Sequence, residues 1–297
     1  MPTKAPLIQF WNRRTQALEP ELVYGEAGVK LLYGSTLGRA VTQSLLAQGP
    51  FSKLYGLYQS SALSRHKVER FIRDFKIPIQ DFEGAPYSSF NDFFIRKFKP
   101  NVRPFATHPK HMAAFCEARY LAFAAVKTDE SFPVKGQFLS PEFLMGSSEK
   151  ARPFAGGPLL IARLCPTDYH RFHFPDQGRL LEHYEVSGKL NSVNPFALKQ
   201  VGEIFGTNER QVNLLQTESF GKLAYIEVGA LCVGKIVQTH GGAEFIRGQE
   251  KGYFLFGGST VIVLGEKGAW EPSVDLLEQT AKNLETLVEL GQPIASA

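Results

Sequence analysis

The chain has 297 residues, of which 43% are hydrophobic and 21% charged, a composition that fits a folded protein and excludes a disordered or low-complexity one. The formal net charge is +4, and residues 1–75 carry ten basic and five acidic side chains, so the positive excess lies in the N-terminal quarter. A basic segment can attract anionic lipid or nucleic acid, although a solvated helical face explains it as well.

The first 26 residues predict no secretory signal peptide, because charged side chains occur among them and they contain no long apolar run. Between residues 29 and 46 apolar side chains are frequent, but Lys30 and Arg39 interrupt them. A membrane-spanning helix needs roughly 20 predominantly apolar residues in succession, so the sequence disfavours one here.

Residues 27–80 are predicted to be helical, since apolar residues recur at helical spacing and polar residues fill the opposite face. Gly49 and Pro50 predict a break between two helical pieces. Basic amphipathic helices can lie in a membrane interface, or they can form a layer packed on the protein's own core. The pattern alone favours the packed layer.

The segment 88–99 predicts a further helix, with Ser88 or Ser89 as its N-cap and Pro100 directly after its end. From about residue 112 the pattern changes to short apolar runs between turn residues, which is typical of β-strands. The predicted strands are Tyr120–Val126, Leu159–Leu164, Leu180–Val186, Ala224–Val228, Leu231–Gln238, Tyr253–Phe256 and Val261–Leu264.

Two segments outside these strands are predicted differently: a loop or helix at about 194–205, and a helix from 273 to 290. Together the elements predict an α+β fold. Residues 86–297 are expected to form a mainly antiparallel β domain, and residues 1–85 an N-terminal layer of amphipathic helices.

A glycine-rich sequence, Phe256-Gly257-Gly258-Ser259-Thr260, is the first candidate for chemistry. Glycine allows backbone angles that other residues rarely adopt and lets a reacting carbonyl be approached closely. A serine hydroxyl can attack the carbonyl that precedes it if a base takes its proton. A hairpin turn with a polar residue at its edge explains the same five letters, and from these letters alone it is favoured.

The segment 165–173, Cys-Pro-Thr-Asp-Tyr-His-Arg-Phe-His, contains the second candidate. If Pro166 begins a short helical turn, His170 and His173 face the same way and could serve as acid and base near neutral pH. If the segment is a strand, they face opposite ways. A surface turn with ordinary histidines is the alternative. A metal site is not predicted, because no third ligand is evident.

The three cysteines, Cys116, Cys165 and Cys232, lie far apart and form no closely spaced pair. An odd and sparse set of this kind is typical of reduced thiols in a cytoplasmic compartment. A structural zinc site uses paired ligands, so none is expected.

The third candidate is Glu117, in the sequence Phe-Cys-Glu-Ala-Arg-Tyr at 115–120. A carboxylate at the mouth of a strand could orient a histidine, as the acid does in a serine–histidine–acid triad. The alternative is an exposed salt-bridge partner, which is common for a glutamate near an arginine and contributes little energy.

Taken together, these segments resemble the phosphatidylserine decarboxylase family, particularly its bacterial branch with a GGST cleavage motif. The resemblance runs over most of the chain, and the order and spacing of its parts agree throughout. The matching segments are Leu32–Arg39, Phe51–Gly56, Tyr87–Arg96, Val134–Gly136, Asp168–His173, Asn191–Pro195, Val228–Ala230, Val233–Ile236, Gly252–Phe254 and Phe256–Thr260.

The resemblance implies a proenzyme that cuts itself between Gly258 and Ser259. The products would be a large chain, 1–258, and a small chain, 259–297, that stay associated. Ser259, the nucleophile of the cut, would become a covalent pyruvoyl group, the cofactor of the mature enzyme.

The resemblance also implies roles for three further side chains. His173 matches the histidine that acts as base in self-cleavage, and His170 matches the one that serves at the substrate carboxylate and in proton transfer. Glu117 stands where the family normally has an activating aspartate, and so would orient His173. This departure leaves the efficiency of self-cleavage open.

The implied activity is that of a carboxy-lyase, which converts phosphatidylserine to phosphatidylethanolamine and CO2 with the pyruvoyl group as electron sink. The implied partners are anionic phospholipid and the cytoplasmic side of the cell membrane, which the basic helices of 27–75 would contact peripherally. A homodimer is compatible with the resemblance, and neither metal nor nucleic acid is implied. Two alternatives stay open: a pyruvoyl decarboxylase of a soluble amino acid, and a catalytically silent lipid-binding relative.

Overall fold

The structure, a computed structural model, describes residues 8–22, 49–126, 140–189, 204–229, 235–257 and 259–297. In these ranges the α-helices are α1 (Gly49–Ser60), α2 (His66–Phe75), α3 (Phe90–Phe94), α4 (Pro141–Met145), α5 (Ser148–Ala151), α6 (Ile204–Thr207) and α7 (Val274–Ala281). The first eight strands are β1 (Gln9–Asn12), β2 (Ala17–Pro20), β3 (His111–Ala113), β4 (Ala118–Phe123), β5 (Leu159–Leu164), β6 (Arg171–His173), β7 (Gly178–Val186) and β8 (Arg210–Thr217). The remaining strands are β9 (Lys222–Val228), β10 (Ile236–Gln238), β11 (Glu244–Phe245), β12 (Glu250–Phe254), β13 (Ser259–Gly265), β14 (Glu271–Pro272), β15 (Thr286–Val288) and β16 (Pro293–Ser296).

A ten-stranded sheet dominates the described part of the chain, in the order β11-β7-β8-β9-β13-β5-β4-β15-β1-β2. Its neighbours pair antiparallel except β1 and β15, which run parallel. Two three-stranded sheets, β10-β12-β6 and β14-β16-β3, complete it. The predicted α+β fold with a mainly antiparallel sheet is therefore confirmed.

The central strands are buried along their whole length. Every residue of β5 and of β13 is buried, which explains why both strands are largely apolar rather than alternating, with Arg163 in β5 and Ser259 and Thr260 in β13 as the polar exceptions. The pairing of Ser259 with Leu164 at one end of the β13–β5 ladder puts this serine at the start of a strand in the middle of the sheet.

The N-terminal helices form a second apolar cluster, separate from the main core. Phe71 of α2 packs edge-on against Phe90 and Phe93 of α3. Phe90 and Phe94 in turn contact Phe256, which lies between β12 and β13. The predicted N-terminal layer of amphipathic helices is confirmed for the described residues, whereas 23–48 lies outside them.

Several strands were not predicted, and two of them lie within the region 1–85. β1 and β2 form a hairpin that joins the main sheet through β15, so residues 9–20 pack with the β domain. The other missed strands are β3, β6, β8, β11, β14, β15 and β16. Of the seven predicted strands, Leu159–Leu164 has its predicted bounds, and five others begin or end a few residues away. Of the remaining predicted strand, 231–238, the first four residues lie outside the described ones, and Ile236–Gln238 form β10.

The predicted helix 88–99 is too long. Ser89 is its N-cap, as expected, and accepts a hydrogen bond from the backbone N–H of Asp92, but α3 ends at Phe94. Beyond it, Phe98 forms an isolated antiparallel bridge with Phe82, and their rings stack at 4.5 Å. This tertiary pairing ends the helix before Pro100.

The predicted helix 273–290 is correct only in its first half. The chain leaves α7 at Ala281, and Asn283 takes a left-handed conformation with φ of 59°. The residues that follow form β15, paired with β4 and β1. Leu284, Thr286 and Val288 recur every second residue, which is strand periodicity that the longer helical pattern masked.

Most of the predicted loop or helix at 194–205 lies outside the described residues. Among the described ones, α6 begins at Ile204. Cys116 and Cys165 are buried free thiols, and Cys232 lies outside the described residues. In the ranges that the structure describes, no helix is long and apolar enough to cross a membrane.

Candidate active site

Ser259 is fully buried at the first position of β13. Its Oγ has no hydrogen-bond partner among the described residues. Gly257, two residues earlier, has φ of 148°, a backbone conformation that is essentially restricted to glycine. Gly258 lies outside the described residues. The glycine-rich motif therefore contains a turn that requires glycine, followed by a buried hydroxyl whose hydrogen-bonding capacity is unused in the described structure.

His170 is fully buried immediately before β6, and its ring lies 3.7 Å from that of Phe94, centroid to centroid. Its Nδ1 donates to the backbone carbonyl of Asp168 at 3.0 Å, so the proton of the neutral ring is on Nδ1. The lone pair on Nε2 has no partner among the described residues. Burial, with help from the Arg96 charge, lowers the pKa of His170 to about 3. The residue is a neutral ring with a vacant proton-accepting nitrogen.

His173 ends β6 and is nearly as buried. Its Nδ1 donates to the carbonyl of Gly248 at 2.9 Å, and its Nε2 accepts from the hydroxyl of Tyr169 at 3.2 Å. Burial lowers the pKa of His173 to about 4, and burial also raises the pKa of Tyr169 well above its ordinary value. His173 thus has the same tautomer as His170, but its basic nitrogen is already bonded.

Of the two alternatives for this segment, the structure shows the strand, in which the two histidines face opposite ways, and not the helical turn. The turn covers only 165–168, where the backbone N–H of Asp168 donates to the carbonyl of Cys165 and the Asp168 carboxylate accepts from the Cys165 N–H. The chain then extends into β6, which pairs with β12. Along an extended chain, residues three apart face opposite ways. His170 accordingly contacts Phe94, whereas His173 contacts Phe105.

Glu117 forms a bidentate ion pair with Arg103, at 2.5 and 3.0 Å, and accepts a hydrogen bond from the Leu290 N–H. Burial raises the pKa of Glu117, while Arg103 opposes that shift. No hydrogen bond joins Glu117 to His173 among the described residues, since both ring nitrogens of His173 have other partners. Its role in orienting His173 stays a prediction.

Two arginines that the sequence analysis did not single out donate hydrogen bonds to the residues just before His170. Arg96 donates from Nη2 to the carbonyls of Thr167 and Asp168, at 2.9 and 3.0 Å. Arg119 donates to the Asp168 carboxylate at 2.6 Å. Burial lowers the pKa of Arg96 to about 10, so the guanidinium stays charged at neutral pH. Arg96 therefore holds the carbonyl that fixes the His170 tautomer, and Arg119 holds the side chain of the same residue, Asp168.

The arrangement can support proton abstraction in a site screened from water. Ser259, His170 and His173 are all buried, and Phe94 contacts both the His170 ring and Phe256, three residues before Ser259. No hydrogen bond joins the Ser259 Oγ to either histidine among the described residues. Burial keeps both rings neutral, so that an Nε2 lone pair can accept a proton, and the same burial makes each ring a weaker base than an exposed imidazole. The described residues contain no grouping of three or more His, Cys, Asp or Glu side chains suited to hold a metal ion.

Comparison with known proteins identifies similar sequences over nearly the whole chain. Residues 90–296 match the family described as phosphatidylserine decarboxylase. A phosphatidylserine decarboxylase proenzyme of Clostridium perfringens is 38% identical over 98% of this chain and 100% of its own length. Proenzymes of the same name from Clostridium novyi and Ruminiclostridium cellulolyticum are 38% and 36% identical, each over 98% of this chain. Their alignments cover 99% and 98% of the relatives' own lengths.

Proposed function

The chain belongs to the phosphatidylserine decarboxylase family, and on that premise we propose that it converts phosphatidylserine into phosphatidylethanolamine and CO2. It does so after cutting itself between Gly258 and Ser259. The observation that carries the proposal is the buried Ser259 hydroxyl, without a partner among the described residues, at the start of a central strand. The name proenzyme, which the relatives bear, agrees with a chain that is processed before it acts.

Self-cleavage begins when a base takes the proton of Ser259 and the alkoxide attacks the carbonyl carbon of Gly258. The peptide bond between them becomes an ester. Loss of the α-proton of Ser259 then breaks the bond from its side-chain carbon to the ester oxygen, and the chain 1–258 departs with a free carboxylate. The dehydroalanine left on 259–297 takes up water and releases ammonia, which leaves a pyruvoyl group at its N-terminus.

The surroundings of Ser259 fit such a group. Conversion removes the serine hydroxyl, and because this hydroxyl has no partner among the described residues, no described hydrogen bond is lost. The pyruvoyl group supplies an electron sink for the departure of CO2 from an amino-bearing substrate. The rest of the site must bind the substrate and move protons.

The two histidines divide the proton transfers. His173 is the proposed base for self-cleavage, and Nε2 is its basic nitrogen. This nitrogen accepts a hydrogen bond from the Tyr169 hydroxyl, which must be replaced by the Ser259 hydroxyl before the proton can move. His170 is the proposed group for the substrate carboxylate or for proton transfer. Its tautomer supports the second of these, since a vacant Nε2 lone pair can accept a proton but cannot donate to a carboxylate.

Membrane contact is proposed for the outer face of the N-terminal helices. We define the docking face as Leu54 and Leu57 of α1, Leu63 of the short turn after it, and Arg70 and Arg73 of α2. The three leucines are 70%, 69% and 74% exposed, and the side chains of Arg70 and Arg73 are largely exposed too, although both pair with Asp74. Exposed apolar and basic side chains on consecutive elements fit an anionic lipid surface, which suits a peripheral protein on the cytoplasmic side of a membrane.

The test is CO2 release by the purified full chain, offered phosphatidylserine in mixed micelles or free serine. We expect turnover of the lipid and none of free serine. Turnover of serine alone would favour the soluble amino acid decarboxylase, and a cleaved chain inactive on both would favour a silent relative. Two variants assign the histidines. His173→Gln should slow self-cleavage by ~10²–10⁴-fold, whereas His170→Gln should still cleave but lose decarboxylation.

A further inference from the structure

Asn91, the second residue of α3, is buried, and its side-chain amide contacts two separate parts of the chain. Its Nδ2 donates to the hydroxyl of Ser60 at 2.7 Å, at the end of α1. Its Oδ1 accepts from the backbone N–H of Phe256 at 2.8 Å. One amide group therefore connects α1 to the segment that leads into Ser259.

Aromatic packing reinforces the same connection. The Phe256 ring lies 5.9 Å from Tyr55 of α1, 5.1 Å from Phe90 and 5.0 Å from Phe94, centroid to centroid. Phe94 also contacts the ring of His170. The side chain of Phe256 is thus fixed by α1 and α3, while its backbone is fixed by the amide from α3.

The position of this anchor in the chain makes it relevant to the chemistry. β12 ends at Phe254 and β13 begins at Ser259, and the described residues between them, 255–257, belong to no strand. The N–H groups of Leu255 and Phe256 are bonded to the Lys235 carbonyl and to Asn91. Gly257 then turns the chain with its glycine-specific φ. The hydrogen bond from the Phe256 N–H to Asn91 is the last described hydrogen bond before the peptide bond that is cut, between Gly258 and Ser259.

Attack of a side chain on its own preceding carbonyl depends strongly on angle and distance, because misplacement by about 1 Å can cost ~10²-fold in rate. We propose that Asn91 is a positioning residue for self-cleavage, and that it makes α1 part of the framework that holds the cleavage turn. The proposal rests on the proposed cut between Gly258 and Ser259.

The variants separate positioning from simple stabilisation. Asn91→Leu keeps the approximate size and removes all three side-chain hydrogen bonds, to the Ser60 hydroxyl, the Gly56 carbonyl and the Phe256 N–H. Asn91→Asp keeps an oxygen that can accept from the Phe256 N–H and so should rescue cleavage, although a buried carboxyl favours folding less. Ser60→Ala removes the shorter of the two α1 contacts that orient the amide, at 2.7 Å, and leaves the one to the Gly56 carbonyl at 3.5 Å. Ser61→Ala is its matched control, since the Ser61 hydroxyl bonds to the Tyr58 carbonyl and not to Asn91.

The readout is the rate at which full-length chain, made by cell-free translation and chased, separates into two bands on a denaturing gel. Circular dichroism checks that each variant is folded at the temperature used, so that a difference in rate belongs to the folded state. We expect Asn91→Leu to be slower by ~10-fold or more, Asn91→Asp to be clearly faster than Asn91→Leu, and Ser60→Ala to be slower than Ser61→Ala.

Equal rates for the natural chain and folded Asn91→Leu would overturn the inference and leave the proposed function intact. If Asn91→Leu does not fold, the serine pair decides, and equal rates for Ser60→Ala and Ser61→Ala overturn it. A natural chain that never cleaves would overturn the proposed function and this inference with it.

Discussion

The two histidines have the same tautomer for the same physical reason. Each ring donates from Nδ1 to a backbone carbonyl, that of Asp168 for His170 and that of Gly248 for His173. Each is buried, and burial penalises the charged form of imidazole. A fixed tautomer with a basic Nε2 is what a proton acceptor needs, whereas an exposed histidine would be partly protonated near neutral pH.

This burial predicts a pH dependence of stability. The pKa of His170 is lowered to about 3 and that of His173 to about 4, whereas the unfolded residues titrate near their ordinary 6.5. Between pH 6 and pH 4 the unfolded chain therefore binds protons that the folded chain does not, and stability falls as the pH falls. Each histidine should contribute about 1.4 kcal/mol per pH unit in this window.

Urea unfolding of the Ser259→Ala chain at pH 7.5 and pH 5.5 measures this effect. The same chain with His170→Gln is the comparison, because it lacks one of the two titrating rings. We expect its loss of stability between the two pH values to be smaller by about 1.4 kcal/mol. An identical loss in both chains would contradict the burial of a neutral His170.

The site residues could be predicted only in part from the sequence. Ser259, His170 and His173 stand in motifs whose chemistry is recognisable without a structure. The contact from Arg96 could not be recognised, because Arg96 lies 72 residues from the Asp168 carbonyl that it holds, and no local pattern links them. The same holds for Glu117, whose partner Arg103 is a matter of tertiary packing.

At the scale of elements, the main sheet contains strands from both chains that the proposed cut would produce. β13, which starts the small chain, lies between β9 and β5 of the large chain, and β15 lies between β4 and β1. A buried ion pair adds to these ladders: Arg163 of β5 donates twice to Glu285, at 2.8 and 2.5 Å, and also to Glu21. The two chains should therefore stay together after cleavage.

Removal of Arg163 tests how much this pair contributes. Arg163→Met would leave the buried carboxylates of Glu21 and Glu285 facing each other without their shared cation, which should cost about 3–5 kcal/mol. Arg14→Met is the control, since Arg14 is largely exposed in its pair with Glu289 and should cost at most about 1 kcal/mol. Urea midpoints of the Ser259→Ala chain give both values, and equal midpoints would contradict the argument.

Strands that bury apolar residues could be predicted from the sequence, whereas strands that bury polar residues or are very short could not. β5 and β13 were predicted because all their residues are buried and β5 is apolar except for Arg163. β8 was missed because it buries polar residues with specific partners: Arg210 donates to the Leu144 carbonyl, and Asn213 donates to Glu227. The shortest strands, such as β14 with two residues, exist only through pairing with distant segments and have no periodicity to detect.

At the scale of the whole molecule, the N-terminal helices have two different faces. On the inner face, Tyr55 of α1 packs against Phe256, which also contacts Phe94 beside His170. The outer face is the docking face, with its exposed leucines. A surface that binds lipid on one side and borders the site on the other would bring a headgroup close to the reacting serine.

Binding of the full chain to vesicles tests the docking face. Leu54→Ser with Leu57→Ser should weaken binding to anionic vesicles by ~10-fold or more, because two apolar side chains no longer leave water on binding. Leu181→Ser is the matched control, since Leu181 is also exposed, at 44%, but lies on β7. If both variants bind like the natural chain, the membrane contact lies elsewhere.

The central claim is that Ser259 cuts the chain and becomes a pyruvoyl group, and intact-mass spectrometry of the purified protein tests it directly. We predict two species: chain 1–258 with an ordinary carboxylate, and chain 259–297 lighter by one ammonia than a fragment with an N-terminal serine. The Ser259→Ala chain should stay whole. A natural chain of undivided mass, or a small fragment that begins with an unmodified serine, would contradict the account.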